Sequence, residues 1–475
     1  DLVRSRGLGD VYKRQVKEYR LSKKSDLFAY FLARVLTLLS KDGVASVISS
    51  DKWLETDYGL SLQKKLKEYL IAIYGQRERT FGADINTVIT VYSNKKLDTP
   101  VHFTYLESYG GKEIKRYVML KRDELVPGKW FYLRAPRIFL EKILPRLTYR
   151  LGLLADIRRG PTSGVNEFFY LKDITHLYEA DYLGDPKKFE EWEVSAKTKS
   201  DLEKLNLIYV ENEGGARFVI DRKDVTAAIR SPTDLESYII RDVPSLVFKP
   251  KPPTKPGVYS MKYIKWGEKQ QITVKKGKKK GSIIRGYHNL TTTKAHRPYW
   301  FNIPDVEPSH IIPNRFIHER HFTSFSRNKV LASDACALVY PKRNKAINFW
   351  LYMNSTIFYL TEELYGMRMG GGSLEILAGE YENFPAFDLQ NFNADDGLVS
   401  LLDRKPLKYD EESKNPQRRN LDLFILKTMG FDNPEKLLDD MYVAFVEVVE
   451  DRLVKGGRQQ GKTGADQLKN EDDDK

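Results

Sequence analysis

The sequence predicts an α/β protein: the C-terminal half of a doubly wound sheet, then an α+β region of short strands, then C-terminal helices. Three observations carry this. Residues 24–93 alternate helical and strand patterns across short turns, as crossover units of a doubly wound sheet do. Residues 151–386 read as short β-type runs between turn-rich loops. Residues 420–430 and 434–455 return to amphipathic helical spacing.

Residues 1–15 have no amphipathic period, and Arg4-Ser5-Arg6-Gly7-Leu8-Gly9-Asp10 reads as a non-native, linker-like scar, set aside from fold reasoning. Gly7 and Gly9 lack the preceding strand and third glycine of a dinucleotide-binding turn. From Asp26 to Leu39, the residues Leu27, Phe28, Phe31, Val35, Leu38 and Leu39 fall on one helical face, with Ser25 or Asp26 as cap. Gly43 ends the pattern, and Val44-Ala45-Ser46-Val47-Ile48 is a buried-strand run. A second helix is expected over 60–70 and strands over 71–74, 87–92 and 101–106, before a charged segment at 107–122. Residues 123–150 read as a linker with a helix over 139–147. In the α+β region, 168–171, 297–301 and 335–341 read as strands, and 347–364 as one helix before the turn Gly370-Gly371-Gly372. The predicted units are therefore 16–122, 123–150, 151–390 and 391–456, with 457–475 as a polar, acidic, disordered tail.

Composition narrows the function. The chain has 475 residues, a net charge of +13 and a single cysteine, Cys336. One cysteine excludes an intrachain disulfide framework and a cysteine-rich zinc site, and fits a reducing cytoplasmic location. No apolar run reaches the roughly 20 residues a membrane helix needs, so no membrane partner is expected. The seven histidines show no metal-ligand spacing, and no metal is expected. The excess of positive charge favours a polyanionic partner, above all nucleic acid. Asp98 with Glu113-Ile114-Lys115 has the bare spacing of a magnesium nuclease, a pattern that arises readily by chance in a chain that is 30% charged.

Three stretches carry a resemblance. They are Lys24-Ser25-Asp26-Leu27-Phe28-Ala29-Tyr30-Phe31, the strand from Val44, and Thr80-Phe81-Gly82-Ala83-Asp84-Ile85-Asn86 leading into Thr87-Val88-Ile89-Thr90-Val91-Tyr92. This segment resembles the second half of the catalytic domain of gamma-class adenine-N6 DNA methyltransferases of restriction-modification systems, fused type IIG-like enzymes included. The resemblance implies methyl transfer from S-adenosylmethionine to an adenine turned out of double-stranded DNA. It places Phe81 as the catalytic-site aromatic that stacks on the flipped adenine. Stacking of that kind returns about 1–3 kcal/mol against an extrusion cost of a few kcal/mol. It places Phe31 against the cofactor adenine, with Asp26 nearby, although Phe31 also fits the apolar stripe and Asp26 also fits a helix cap. Trp53 matches a position at the cleft mouth and reads mainly as packing. The family's Asn-Pro-Pro-Tyr loop is absent from the sequence; Asn415-Pro416-Gln417 reads as a loop and Asn433-Pro434-Glu435 as a helix start. The expectation is an N-terminally truncated fragment, itself inactive, whose partner is the missing first half of the catalytic domain.

The region from 151 resembles a target-recognition domain through Arg158-Arg159-Gly160-Pro161-Thr162-Ser163-Gly164-Val165-Asn166. Glycines let amides approach phosphate, and arginines contact phosphate or read guanine. A hairpin turn with solvated arginines is the plainer alternative. Arg158, Arg159, Gly160, Thr162, Gly164 and Asn166 are therefore candidate DNA contacts, with the cluster Lys275, Lys276, Lys278, Lys279 and Lys280. Two other functions stay open: a non-catalytic DNA-specificity subunit, and a piece of a fused endonuclease-methyltransferase.

Overall fold

The computed structural model describes residues 18–78, 85–243, 245–274, 280–389 and 392–456. The protein is a mixed α/β chain with multi-strand sheets and C-terminal helices.

The first body is a five-stranded sheet with two helices. The helix Leu27–Leu38 is followed by β1 (Val44–Ser50), the helix Gly59–Leu66, β2 (Leu70–Gln76), β3 (Thr87–Ser93), β4 (Val101–Leu106) and β5 (Ile114–Leu120). The strand order is β1-β3-β2-β4-β5. β3 runs antiparallel to both β1 and β2, so β1 and β2 point the same way and the helix Gly59–Leu66 forms the crossover between them. β2 is parallel to β4, and β4 antiparallel to β5. β5 arises inside the charged segment in which no strand was expected. Its core face mixes the apolar Val118 and Leu120 with Arg116, which is buried on a carboxylate, while Tyr117 and Met119 point the other way.

The strand register sorts the side chains into two faces. Val47, Thr90, Ile73, Phe103 and Val118 share one face, and most of them pack with the buried side of the helix Leu27–Leu38, Ala29, Tyr30, Leu32 and Ala33. The Tyr92 hydroxyl donates to the Leu32 carbonyl at 3.1 Å and locks helix to sheet. The residues at the two rims of the opposite face stand in solvent: Val44 and Ile48 on β1, Tyr117 and Met119 on β5. Trp53 is fully buried, edge-on to Trp130 with ring centroids 5.8 Å apart, which is the packing role expected for it.

The second body is built on a ten-stranded sheet. Its central path runs Tyr170–Asp173, Ser245–Phe248, Val225–Ile229, Thr323–Ala332, Ser309–Pro313, Ala337–Pro341 and Ala155–Arg159. One hydrophobic core joins these strands to the helices Ala346–Met353, Thr356–Tyr365, Pro416–Thr428 and Pro434–Lys455. Four expectations need correction here. The single helix over 347–364 is two helices, because the Asn354 side chain leaves the helix to bond both Thr323 backbone groups at 2.9 and 3.0 Å, and Ser355 caps the next turn. Residues 297–301 form no strand; the run of aromatics packs ring on ring, Tyr299 on Phe301 at 5.3 Å, without a ladder. The helix over 139–147 is a short π turn, Phe139–Ile143, then a 3-10 turn, because Pro145 has no amide to continue an α-ladder. Asn415-Pro416 is a helix start and not a loop, with Asn415 accepting from the Gln417 and Arg418 amides. Among the described residues no helix is long and apolar enough to cross a membrane.

Candidate functional site

Between the two bodies lies a cleft of about 1150 Å³. Its walls come from four separate stretches: the turn after β1, the entrance to β3 at Asn86, residues 127–150, and residues 365–385. Polar ties across the seam fix its width. Arg134, almost fully buried, grips Glu55 through Nε and Nη2 at 2.8 and 2.6 Å, and donates to the carbonyls of Glu363 and Leu364 at 2.7 and 2.9 Å. Lys52 Nζ donates to the Arg368 carbonyl at 2.9 Å, and Lys129 Nζ to the Tyr365 carbonyl. From behind, the last turn of the helix Pro434–Lys455 reaches the first body: Asp451 pairs with Arg77 at 3.0 Å and Arg116 at 2.6 Å.

The cleft is lined by four carboxylates, Asp51, Glu55, Asp57 and Glu380, and four cations, Lys52, Lys129, Arg150 and Arg368, and burial shifts charges of both signs. Burial pushes the Lys455 ammonium down to about 8, with Asp51 opposing the shift, and burial lowers the Lys129 ammonium. Burial likewise raises the Asp51 carboxyl, against the pull of Lys455. Arg368 is brought down to about 10 by burial. Each shift has the sign expected when water is removed from a charge faster than partners replace it.

The residues singled out from the sequence distribute as follows. Phe81 lies outside the described residues; Asn86, which follows it in the sequence, lines the cleft. Phe31 is 62% exposed, so it is not the core residue its stripe suggested. Asp26 occupies the N-cap position yet makes no side-chain cap bond; its carboxylate accepts from the Tyr58 hydroxyl at 3.1 Å. Capping is therefore not its role. Neither Phe31 nor Asp26 is among the residues lining the cleft.

In the Arg158–Asn166 stretch, Arg159 is committed to Asp334, 2.7 Å away, and Thr162 donates to the same carboxylate at 3.1 Å. Arg158 lies over the Tyr340 ring at 5.4 Å and is the freer of the two. Gly160 has no room for a side chain: a Cβ would sit 2.1 Å from the Ala332 carbonyl, so this glycine serves close packing of the chain on itself. Gly164 accepts from Thr292 at 2.8 Å, and Asn166 from Ser163 at 2.6 Å. Thr162, Gly164 and Arg297 line a separate hollow of about 430 Å³. Of the lysine cluster, Lys280 is exposed, and Lys275, Lys276, Lys278 and Lys279 lie outside the described residues.

The cations that line the cleft, Lys52, Lys129, Arg150 and Arg368, and the buried Lys455 were not anticipated. One signal for them was present: Asp451, Arg452 and Lys455 fall on the buried stripe of the last helix, where a charge demands a partner.

The sheet that forms one wall of this cleft begins with the segment that has a known counterpart. Residues 3–74 match the family described as Eco57I restriction-modification methylase. The matched range takes in residues 3–15 and runs through the crossover from β1 into β2. No curated protein matches the chain. Among solved structures, the type IIG restriction endonuclease BpuSI is 15% identical, over 90% of this chain and 50% of that one, with a TM-score of 0.45. The type IIL restriction-modification enzyme MmeI in complex with DNA is 12% identical, over 92% and 51%, with a TM-score of 0.40. The chain spans about half the length of these two proteins.

Proposed function

We propose that this chain is the rear part of a site-specific adenine-N6 DNA methyltransferase of a restriction-modification or phage-defence system, joined to its target-recognition region. The observation that carries the reading is the coincidence of two features. The methylase-like match ends within β2, and Asn86, at the entrance to β3, lines the cleft between the two bodies. A duplex held in that cleft would present a base to the β3 entrance, where Phe81 stacks on it once it leaves the helix. Extrusion costs a few kcal/mol, and stacking on one aromatic recovers about 1–3 kcal/mol. S-adenosylmethionine supplies the methyl group when bound. Phe31 fits its adenine ring, because the phenyl face is open on the helix beside β1. Arg158 and Lys280, exposed on the second body, serve as phosphate or base contacts. The loop that holds the target amine belongs to the remainder of the enzyme.

The test uses the complete enzyme and a duplex with 2-aminopurine at the target position. Phe81→Ala should abolish most of the fluorescence rise on binding while leaving cofactor affinity within about twofold, since stacking on the base is the interaction removed. A fluorescence response equal to that of the parent enzyme rejects the stacking role.

A further inference from the structure

We propose that Arg327-Asn328-Lys329, a bulge in the middle of the strand Thr323–Ala332, is a base-reading segment of the second body, with Arg327 and Asn328 meeting base edges in the major groove of DNA. The inference rests on the DNA-binding reading above and adds to it residues that choose the sequence.

The strand is central to its sheet, between Ser309–Pro313 on one side and Val225–Ile229 and Ile239–Ile240 on the other. Residues 323, 324 and 326 are buried, and so are residues 330–332. Between them Arg327, Asn328 and Lys329 are all exposed. The cause is the register. Phe325 pairs with Ile311 and Val330 with Ser309, so the residues 326–329 face the single residue His310. On the other side Ile240 pairs with Ser326 and Ala228 with Leu331, and no described residue pairs with 327–329. The chain thus leaves a core strand and returns to it, giving up ladder bonds that a straight strand would make. The bulge is anchored at its base: His310 Nδ1 donates to the Ser326 carbonyl at 2.9 Å, and the His310 ring stacks on Phe325 with centroids 5.7 Å apart.

Side-chain chemistry and charge both point to nucleic acid. Arginine pairs with guanine, and asparagine with adenine, through two hydrogen bonds each; lysine reaches guanine or a phosphate. The three side chains are accessible, and none has a hydrogen bond or ion pair among the described residues. Residues 308–345 hold seven arginines and lysines against two acids. Both acids are already bound, Glu319 to Lys408 at 2.9 Å and Asp334 to Arg159 at 2.7 Å. Alongside the bulge, the chain after Ile240 runs into Arg241, paired with Asp403 at 2.6 Å, and Asp242, so one carboxylate stands against the two cations of the bulge. Protection of a sheet edge is no reason for these charges, since strands flank this one on both sides. The bulge also adjoins Arg158. Continuing the Ile311–Val339 pairing by one residue sets His310 beside Tyr340, and Arg158 lies over the Tyr340 ring at 5.4 Å.

The experiment binds the full chain and its variants Arg327→Ala, Arg327→Lys and Asn328→Ala to a randomised duplex library and sequences what is retained. Anisotropy on a mixed-sequence duplex across a salt series, and thermal unfolding, run alongside. The parent should enrich one recurring sequence. Arg327→Ala and Asn328→Ala should each lose about 5- to 150-fold of the preference at one base pair, the value of one two-bond contact. Their melting temperatures should stay within about 2 °C of the parent's, because the side chains are exposed. Arg327→Lys should keep the salt dependence and lose most of the preference, since the charge stays and the paired contact goes. An enriched sequence unchanged in both alanine variants overturns the proposal and leaves the DNA reading standing. A uniform loss of affinity for all sequences makes the bulge a phosphate contact and overturns base reading, as does a parent that binds duplex without preference. Loss of preference with a lowered melting temperature in every variant assigns the bulge to the fold and overturns it as well. A parent that binds no duplex overturns the DNA reading, and this proposal with it.

Discussion

Glu363 shows how single residues hold this protein together. Its carboxylate is fully buried, yet Arg452 and His321 hold it ionised: burial alone would raise its pKa, and the Arg452 charge outweighs that. Arg452 in turn reaches the His318 carbonyl at 2.6 Å. Removing one partner of such a pair strands the other, so Arg452→Leu should cost about 3–5 kcal/mol; chemical denaturation gives the number directly. The same groups set a pH dependence. Burial would raise Glu412 too, but Arg418 and Arg404 bring it to about 2. Depressed carboxyl pKa values in the folded state stabilise it above the unfolded value of about 4.3, and that stability is lost as pH falls through the folded value. Burial also lowers the His321 imidazole, whose contribution is lost below about 6.5. Glu362 and Asp422, raised by burial, act in the opposite sense above about pH 4, so the melting temperature should fall below about pH 4, where the depressed carboxyls titrate; a flat profile there contradicts the argument. At this scale the sequence was a partial guide. Trp53 was readable as packing, but Asp26 looks like a cap in any one-dimensional reading, because the Tyr58 hydroxyl that claims it is 32 residues away.

Among the elements, the helix Pro434–Lys455 does more than close a core. Its apolar stripe, including Leu438, Met441, Phe445 and Val449, packs into the second body, and its last turn places Asp451 between Arg77 and Arg116 of the first. The helix is thus a strut across the seam that forms the cleft. Asp451→Asn removes the carboxylate that Arg77 and Arg116 share, and amide exchange along β5 should accelerate while exchange in the sheet of the second body stays unchanged. Equal protection in both proteins would remove the strut from the account. The helix itself was legible from period and caps, as was the β1–helix–β2 crossover, because both patterns are local. β5 was not, since Arg116 interrupts the apolar residues of its core face while Tyr117 and Met119 stand in solvent, and periodicity is read from apolar residues. Nor was the break at Asn354, which depends on the backbone of Thr323 in a different strand.

At the scale of the whole molecule, two cores meet along a polar seam, and the cleft lies there. Residues 16–122 announced a half-sheet from sequence alone, and the methylase match, residues 3–74, overlaps its first part. The cleft was illegible because its walls come from positions more than 300 residues apart, and because Lys52, Lys129 and Arg368 look like ordinary surface charges until the bodies are brought together. If the cleft is the DNA site, affinity for duplex DNA should fall steeply between low and moderate salt, as for any protein that neutralises several phosphates. Salt-independent binding contradicts that placement. The central claim, methylation of adenine at N6, is tested most directly by expressing the complete gene in a host free of DNA methylation and analysing the nucleosides and modified positions of its DNA. The account predicts N6-methyladenine at one recurring sequence. Methylated cytosine in its place, or no modified base from a folded and DNA-binding enzyme, would contradict it.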